Sequence, residues 1–171
     1  YYARWSSTIA AEMNGYQFAS VQNAVDFAPY DDTPTTVTLL QDLQDLVTIQ
    51  KNQNIIFDLQ SFTLSNKASN QRVIYNFGTT TIMNGTITSD ATQGAVNNEN
   101  GATMSITGEN IIATGTRQAV YNNGGTLEMS VTPYIEASTS ERTVVGNEKG
   151  SVKITGGTIV STGSSGILNK G

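Results

Sequence analysis

Three kinds of side chain in this sequence could do chemistry: carboxylates, arginines and tyrosines. Six glutamates lie downstream of residue 72 (Glu99, Glu109, Glu128, Glu136, Glu141 and Glu148), and Asp90 is the sole aspartate there. Cleaving a glycosidic bond by acid–base catalysis needs two carboxyl groups facing one another about 5 to 9.5 Å apart. Glu128 and Glu136 fall on different strands with diverging outward directions, so the glutamates read as solvated surface groups. Histidine and cysteine are absent. Their absence removes the commonest general base, thiolate nucleophiles, disulfides and Cys- or His-based metal sites. No catalytic residue, metal ligand or cofactor-binding residue is assigned, and no cofactor is expected.

Arg72, Arg117 and Arg142 flank equivalent turns in successive repeats and could form a basic stripe that contacts an anion. Tyr75 and Tyr121 fall in one outward column two repeats apart, where aromatic rings could stack on sugars. The expected ligand contacts are therefore Tyr75, Tyr121 and Arg117. Strand propensity alone also accounts for tyrosine at such positions.

Positioning these residues requires a repeating scaffold. Val73-Ile74-Tyr75-Asn76, Ala95-Val96-Asn97-Asn98, Ala119-Val120-Tyr121-Asn122, Thr143-Val144-Val145-Gly146 and Ile167-Leu168-Asn169-Lys170 align with steps of 22, 24, 24 and 24 residues. Two further columns accompany them: Ile82, Ile106, Met129, Ile154, and Ile87, Ile111, Ile135, Ile159. Small residues (Ser89, Ala113, Ala137, Ser161) follow the last column two positions on. Each repeat thus holds three short alternating segments separated by Gly or Asn turns. Alternation places Leu127 and Met129 inside and Glu128 outside. No repeat has the 3.6-residue periodicity of a helical solenoid.

The expected fold is an all-β, right-handed parallel β-helix of about 24 residues and three strands per coil. Asn76, Asn98 and Asn122 share a column beside a turn, where stacked amides can hydrogen-bond along the axis. Glu128 and Lys153 occupy one outward column and should pair. Residues 1–36 do not repeat. A hairpin about Asn14-Gly15 and a helix N-capped by Ser20, with Val21, Ala24, Val25 and Ala28 on one stripe ended by Pro29, form a cap. The division is 1–36 for hairpin and capping helix and 37–171 for the β-helix, which is expected to continue past Gly171. The exposed end of such a solenoid favours end-to-end self-association.

Composition narrows the function. Charged residues make up 13 % and the net charge is −5, which argues against a nucleic-acid partner or an anionic membrane surface. No apolar run is long enough to span a bilayer, so direct membrane insertion is not expected. With 24 Thr, 16 Asn and 16 Gly, the chain has the composition of a β-rich extracellular protein. A flat Thr-x-Thr ladder for ice binding is missing, since one outward column reads Thr81, Ser105, Glu128, Lys153.

The run from Ala11 to Val25 (AEMNGYQFASVQNAV), Thr36-Val-Thr-Leu-Leu40, Val47-Thr-Ile49, Ile55-Ile-Phe-Asp-Leu59, Ile74-Tyr-Asn76 and Met83-Asn-Gly-Thr-Ile87 resemble pectate-lyase-like β-helix domains of large bacterial cell-surface proteins, many from Gram-positive species. The resemblance covers most of the chain. It departs at Asp58-Leu59-Gln60-Ser61, where the family reads Asp-Leu-Asn-Gly. It implies a piece of a larger secreted or cell-wall protein, a non-catalytic stalk or adhesin segment contacting glycans or host surface proteins. The alternative is a polysaccharide-binding or degenerate polysaccharide lyase-like domain, although the galacturonase motifs of this fold are absent.

Overall fold

The computed structural model describes residues 8–108, 110–115, 117–138, 143–163 and 165–170. The chain begins as a hairpin of β1 (Ala11–Met13) and β2 (Tyr16–Phe18). Asn14 (φ 52°) and Gly15 (φ 80°) both occupy the left-handed region that its two-residue turn requires. Helix α1 (Val21–Phe27) follows, and the Ser20 hydroxyl accepts a hydrogen bond from the Asn23 amide. Val21, Ala24 and Val25 are fully buried, as their spacing predicts.

From Pro34 onward the chain winds into a parallel β-helix with three strands per coil. The first face stacks Val47–Ile49, Ile74–Asn76, Val96–Asn98 and the starts of two long strands, Val120–Ser130 and Val145–Ile154, then Ile167–Asn169. The second stacks Pro34–Leu39, Asn54–Asp58, Thr79–Met83, Thr103–Thr107 and the ends of the same long strands. The third stacks Leu43–Gln44, Thr63–Ser65, Thr86–Ser89, Asn110–Ala113, Tyr134–Ala137 and Thr158–Ser161. Faces one and two join into a single sheet because the long strands run through the corner between them.

Two apolar columns keep the register predicted from sequence. Phe57, Ile82, Ile106 and Met129 stack on the second face, and Leu64, Ile87, Ile111 and Ile135 on the third, all with no exposed surface. Each such side chain contributes about 1.5–3 kcal/mol through burial. Toward the last coil the columns open, and Ile154 and Ile167 are 38 % and 49 % exposed.

At the corner between faces one and two runs a buried polar ladder. Asn76 Nδ2 donates to Asn98 Oδ1 (2.8 Å), Asn98 to Asn122 (2.8 Å), Asn122 to Asn147 (2.7 Å) and Asn147 to Asn169 (2.6 Å). Main-chain carbonyls of the second-face strands take further donations, from Asn76 to Thr103 and from Asn98 to Thr126. At the ladder's first rung, the Thr80 hydroxyl and the Gly78 amide donate to Asn76 Oδ1. Asn76, Asn98, Asn122 and Asn147 are buried and satisfied, as a stable polar interior demands, whereas Asn169 on the last coil is exposed.

The ladder corrects the alignment of the last two repeats. Val120 pairs with Val145 rather than Val144, and Val145 with Ile167, so Gly146 and Leu168 continue the Tyr121 column and Asn147 and Asn169 the Asn122 column. Val144 and Val145 are both fully buried, so hydrophobicity could not choose between them. The asparagine contacts choose. The extra residue of that coil enters before Val145, since the spacing between partners is the same at Val120–Val145 and, past a local irregularity after Asn122, at Met129–Ile154.

At Asp58-Leu59-Gln60-Ser61, Gln60 (φ 50°) and Ser61 (φ 68°) adopt the left-handed geometry that Asn-Gly would occupy more cheaply. Asp58 holds the turn: its carboxylate accepts from the Gln60 amide (3.2 Å), Gln60 Nε2 (2.6 Å) and Asn84 Nδ2 of the next coil (3.0 Å).

The first coil is sealed by side chains whose sequence positions gave no hint of it. Strand β1 pairs antiparallel with Pro34–Leu39 and blunts that edge. The Gln22 amide acts as a missing strand for Val47–Ile49, accepting from the Thr48 N–H (2.6 Å) and donating to its carbonyl (3.2 Å). Buried Asp45 accepts from the Val21 and Gln22 amides at the start of α1, and buried Gln53 donates to the Val25 carbonyl near its end.

Candidate functional site

Alternation along the first face turns Asn76 inward and therefore Tyr75, its chain neighbour, outward. The outward column reads Thr48, Tyr75, Asn97, Tyr121, Gly146 and Leu168. The turns leading into these strands add Arg72, Gln93, Arg117, Gln118 and Thr143. These turn residues, with Tyr75, Asn97, Tyr121 and Leu168 of the column, line a lateral groove of about 460 Å³. Tyr75, Tyr121 and Arg117 thus lie in one place. Arg142, like Glu109 and Glu141, lies outside the described residues.

Arg72 is the unusual member. It is 5 % exposed, and its guanidinium carbon sits 5.4 Å from the centre of the Tyr121 ring, a cation–π distance. Among the described residues its one hydrogen bond is from Nη1 to the Val96 carbonyl (3.3 Å), which leaves the rest of its five-donor fork unused by them. Burial lowers its pKa to about 10; the nearby Arg117 charge acts in the same direction, against Tyr75, Tyr121 and Glu99. It remains a cation at neutral pH. Glu99 does not pair with it; its carboxylate accepts from the side-chain amides of Asn97 and Asn123. Among the described residues the ion pairs are Lys153–Glu128 (2.8 Å) and Lys170–Glu148 (2.9 Å), the latter at the groove's far end. Neither involves an arginine.

Two more groove residues carry an unmet demand. Asn97 Oδ1 and Thr143 Oγ1 are buried without a hydrogen-bond partner among the described residues, a state that natural structures seldom leave unexplained. Beside Tyr121, Gly146 lets the neighbouring side chains pack over its backbone: a Cβ there would approach Gln118 Nε2 to 2.9 Å and the tyrosine ring to 3.3 Å. The roles of Asn97, Gln118, Thr143 and Gly146 were missed from sequence: the misaligned fourth repeat put Val145 where Gly146 stands, and Asn97, although in the right column, gave no sign of its burial.

The other chemistry-bearing groups are dispersed. Glu128 is on the second face with Lys153, whereas Glu136, on the third face, accepts from the Tyr134 hydroxyl (3.3 Å). Asp90 accepts from Asn66 Nδ2 (2.8 Å) at a third-face turn. Among the described residues no group of three His, Cys, Asp or Glu is placed to hold a metal ion, and no helix is long and apolar enough to cross a membrane.

Comparison with protein-family models, curated proteins and solved structures finds no match to this chain. What its own residues establish is a parallel β-helix of about 24 residues per coil, bearing a groove of tyrosine, arginine and amide side chains on its first face.

Proposed function

We propose that this chain is a non-catalytic extracellular surface module, a rigid stalk or adhesin segment of pectate-lyase-like type, that holds a glycan in its first-face groove. The observation that carries this reading is the convergence of Tyr75, Tyr121 and Arg117, with amide side chains between them, in a single open groove. Aromatic faces flanked by amides and guanidinium groups suit sugar rings and their hydroxyls. The two-coil spacing between the tyrosines, about 10 Å from the usual strand separation, suits a short oligosaccharide.

The competing reading is a degenerate polysaccharide lyase, in which Arg72, with its lowered pKa, would abstract a proton. A guanidinium of pKa about 10 is still overwhelmingly protonated at neutral pH, which favours binding over base catalysis. Glycan-array binding that falls at least tenfold for Tyr75→Ala or Tyr121→Ala, with no unsaturated product from polygalacturonate, alginate or glycosaminoglycans with or without Ca²⁺, is the expected result. Turnover that disappears in Arg117→Ala would replace the adhesin reading with the lyase one.

A further inference from the structure

The groove specifies the charge of its ligand. Among the described residues Arg72 is a buried cation with a single hydrogen bond and no ion pair, Glu99 favouring its charge without bonding to it, and a second guanidinium, Arg117, lines the same groove close enough to disfavour that charge. Burying a cation without a counter-ion is costly, and placing two cations together adds to that cost. Both costs fall if an anion from solution enters between them, because a guanidinium fork matches a carboxylate or sulfate with two parallel hydrogen bonds. A free inorganic anion could accept from the Thr143 hydroxyl but would leave Asn97 Oδ1 unsatisfied, since an amide oxygen needs a donor on the ligand. Sugar hydroxyls are such donors.

We propose that the groove binds an acidic sugar, a residue carrying a carboxylate or sulfate group, with the anion at Arg72 and Arg117 and its hydroxyls directed to Asn97 and Thr143. The inference rests on the glycan reading above and adds the ligand's charge to it. Arg72 engages the Tyr121 ring, with its guanidinium carbon 5.4 Å from the ring centre, and so lies beside the aromatic surface that a sugar would contact. Glu148 is held by Lys170 at 2.9 Å, which reduces its repulsion of an incoming anion.

The test is calorimetric titration of the full chain with four probes: hyaluronan oligosaccharide (carboxylate), the same oligosaccharide with its carboxyl groups reduced, a sulfated galactan oligosaccharide lacking carboxylate, and inorganic sulfate. Binding of either acidic oligosaccharide at least tenfold tighter than the reduced one, weakened by added salt and abolished as a preference in Arg117→Gln, is expected. Which acidic probe binds distinguishes carboxylate from sulfate. Arg117 is half-buried and its replacement should fold; Arg72→Gln is the second variant, checked by its circular dichroism. Equal affinity for acidic and reduced oligosaccharides, sensitive to Tyr75→Ala but not to Arg117→Gln, would overturn the acidic-sugar inference and leave glycan binding standing. Inorganic sulfate binding as tightly as the oligosaccharides would overturn it in favour of a simple anion site. Binding of none of the four would reject the inference and, together with a blank glycan array, the glycan reading as well.

Discussion

Two columns that differ by a single residue along the same strands, Asn76 to Asn169 inside and Tyr75 to Leu168 outside, behave in opposite ways. Inside, each amide passes a hydrogen bond to the next coil and further donors reach main-chain carbonyls. Outside, in the column and the turns leading into it, a guanidinium has no ion-pair partner and two buried oxygens have no hydrogen-bond partner among the described residues. The backbone and stacking are shared, so the contrast belongs to the side chains. A solenoid can devote one column to holding its register and the next to a ligand, since the pleat keeps the two from meeting.

The contrast breaks most sharply where a charge is forced into the interior. Val120→Asp on the first face should destabilise the protein by more than about 4 kcal/mol in urea unfolding, because its carboxylate would have no partner. Thr81→Asp, on an outward column, should change stability by less than about 0.5 kcal/mol. Equal losses would show that the two faces are misassigned.

A smaller effect sharpens the ladder's share. Asn98→Ala removes the hydrogen bonds to Asn76 and Asn122 and leaves buried polar groups exposed to a cavity, for an expected loss of about 2–4 kcal/mol. Tyr75→Ala, on the other side of the same strand, should lose far less stability than ligand affinity. The smallest effect belongs to Glu128→Ala. Its pair with Lys153 is exposed, so a loss below about 0.5 kcal/mol that vanishes in high salt is expected.

How far the sequence could be read depended on whether a position had one environment or two. Ile87, Ile111, Ile135 and Ile159 fall in a 24-residue column and stack as that spacing requires. Asn14-Gly15 and Ser20 act through their nearest neighbours, and they form the expected hairpin turn and helix cap. Val144 and Val145 gave an ambiguous signal, since both satisfy an apolar position, and the alignment slipped there. Gln22, Asp45 and Gln53 carried no signal at all, because their partners lie more than twenty residues away in the chain.

By itself, then, the order of amino acids determined the coil period, the three strands per coil, the inward and outward faces of most columns and the presence of a cap. Those properties follow from local alternation and turn geometry, which act over a few residues and repeat. Tertiary structure alone decided the register of the last two coils, the sealing of the first and the meeting of Arg72 with Tyr121. Each depends on which side chains stacking brings to within hydrogen-bond or cation–π distance, and residues in adjacent coils are separated by more than twenty positions that the linear pattern treats as unrelated.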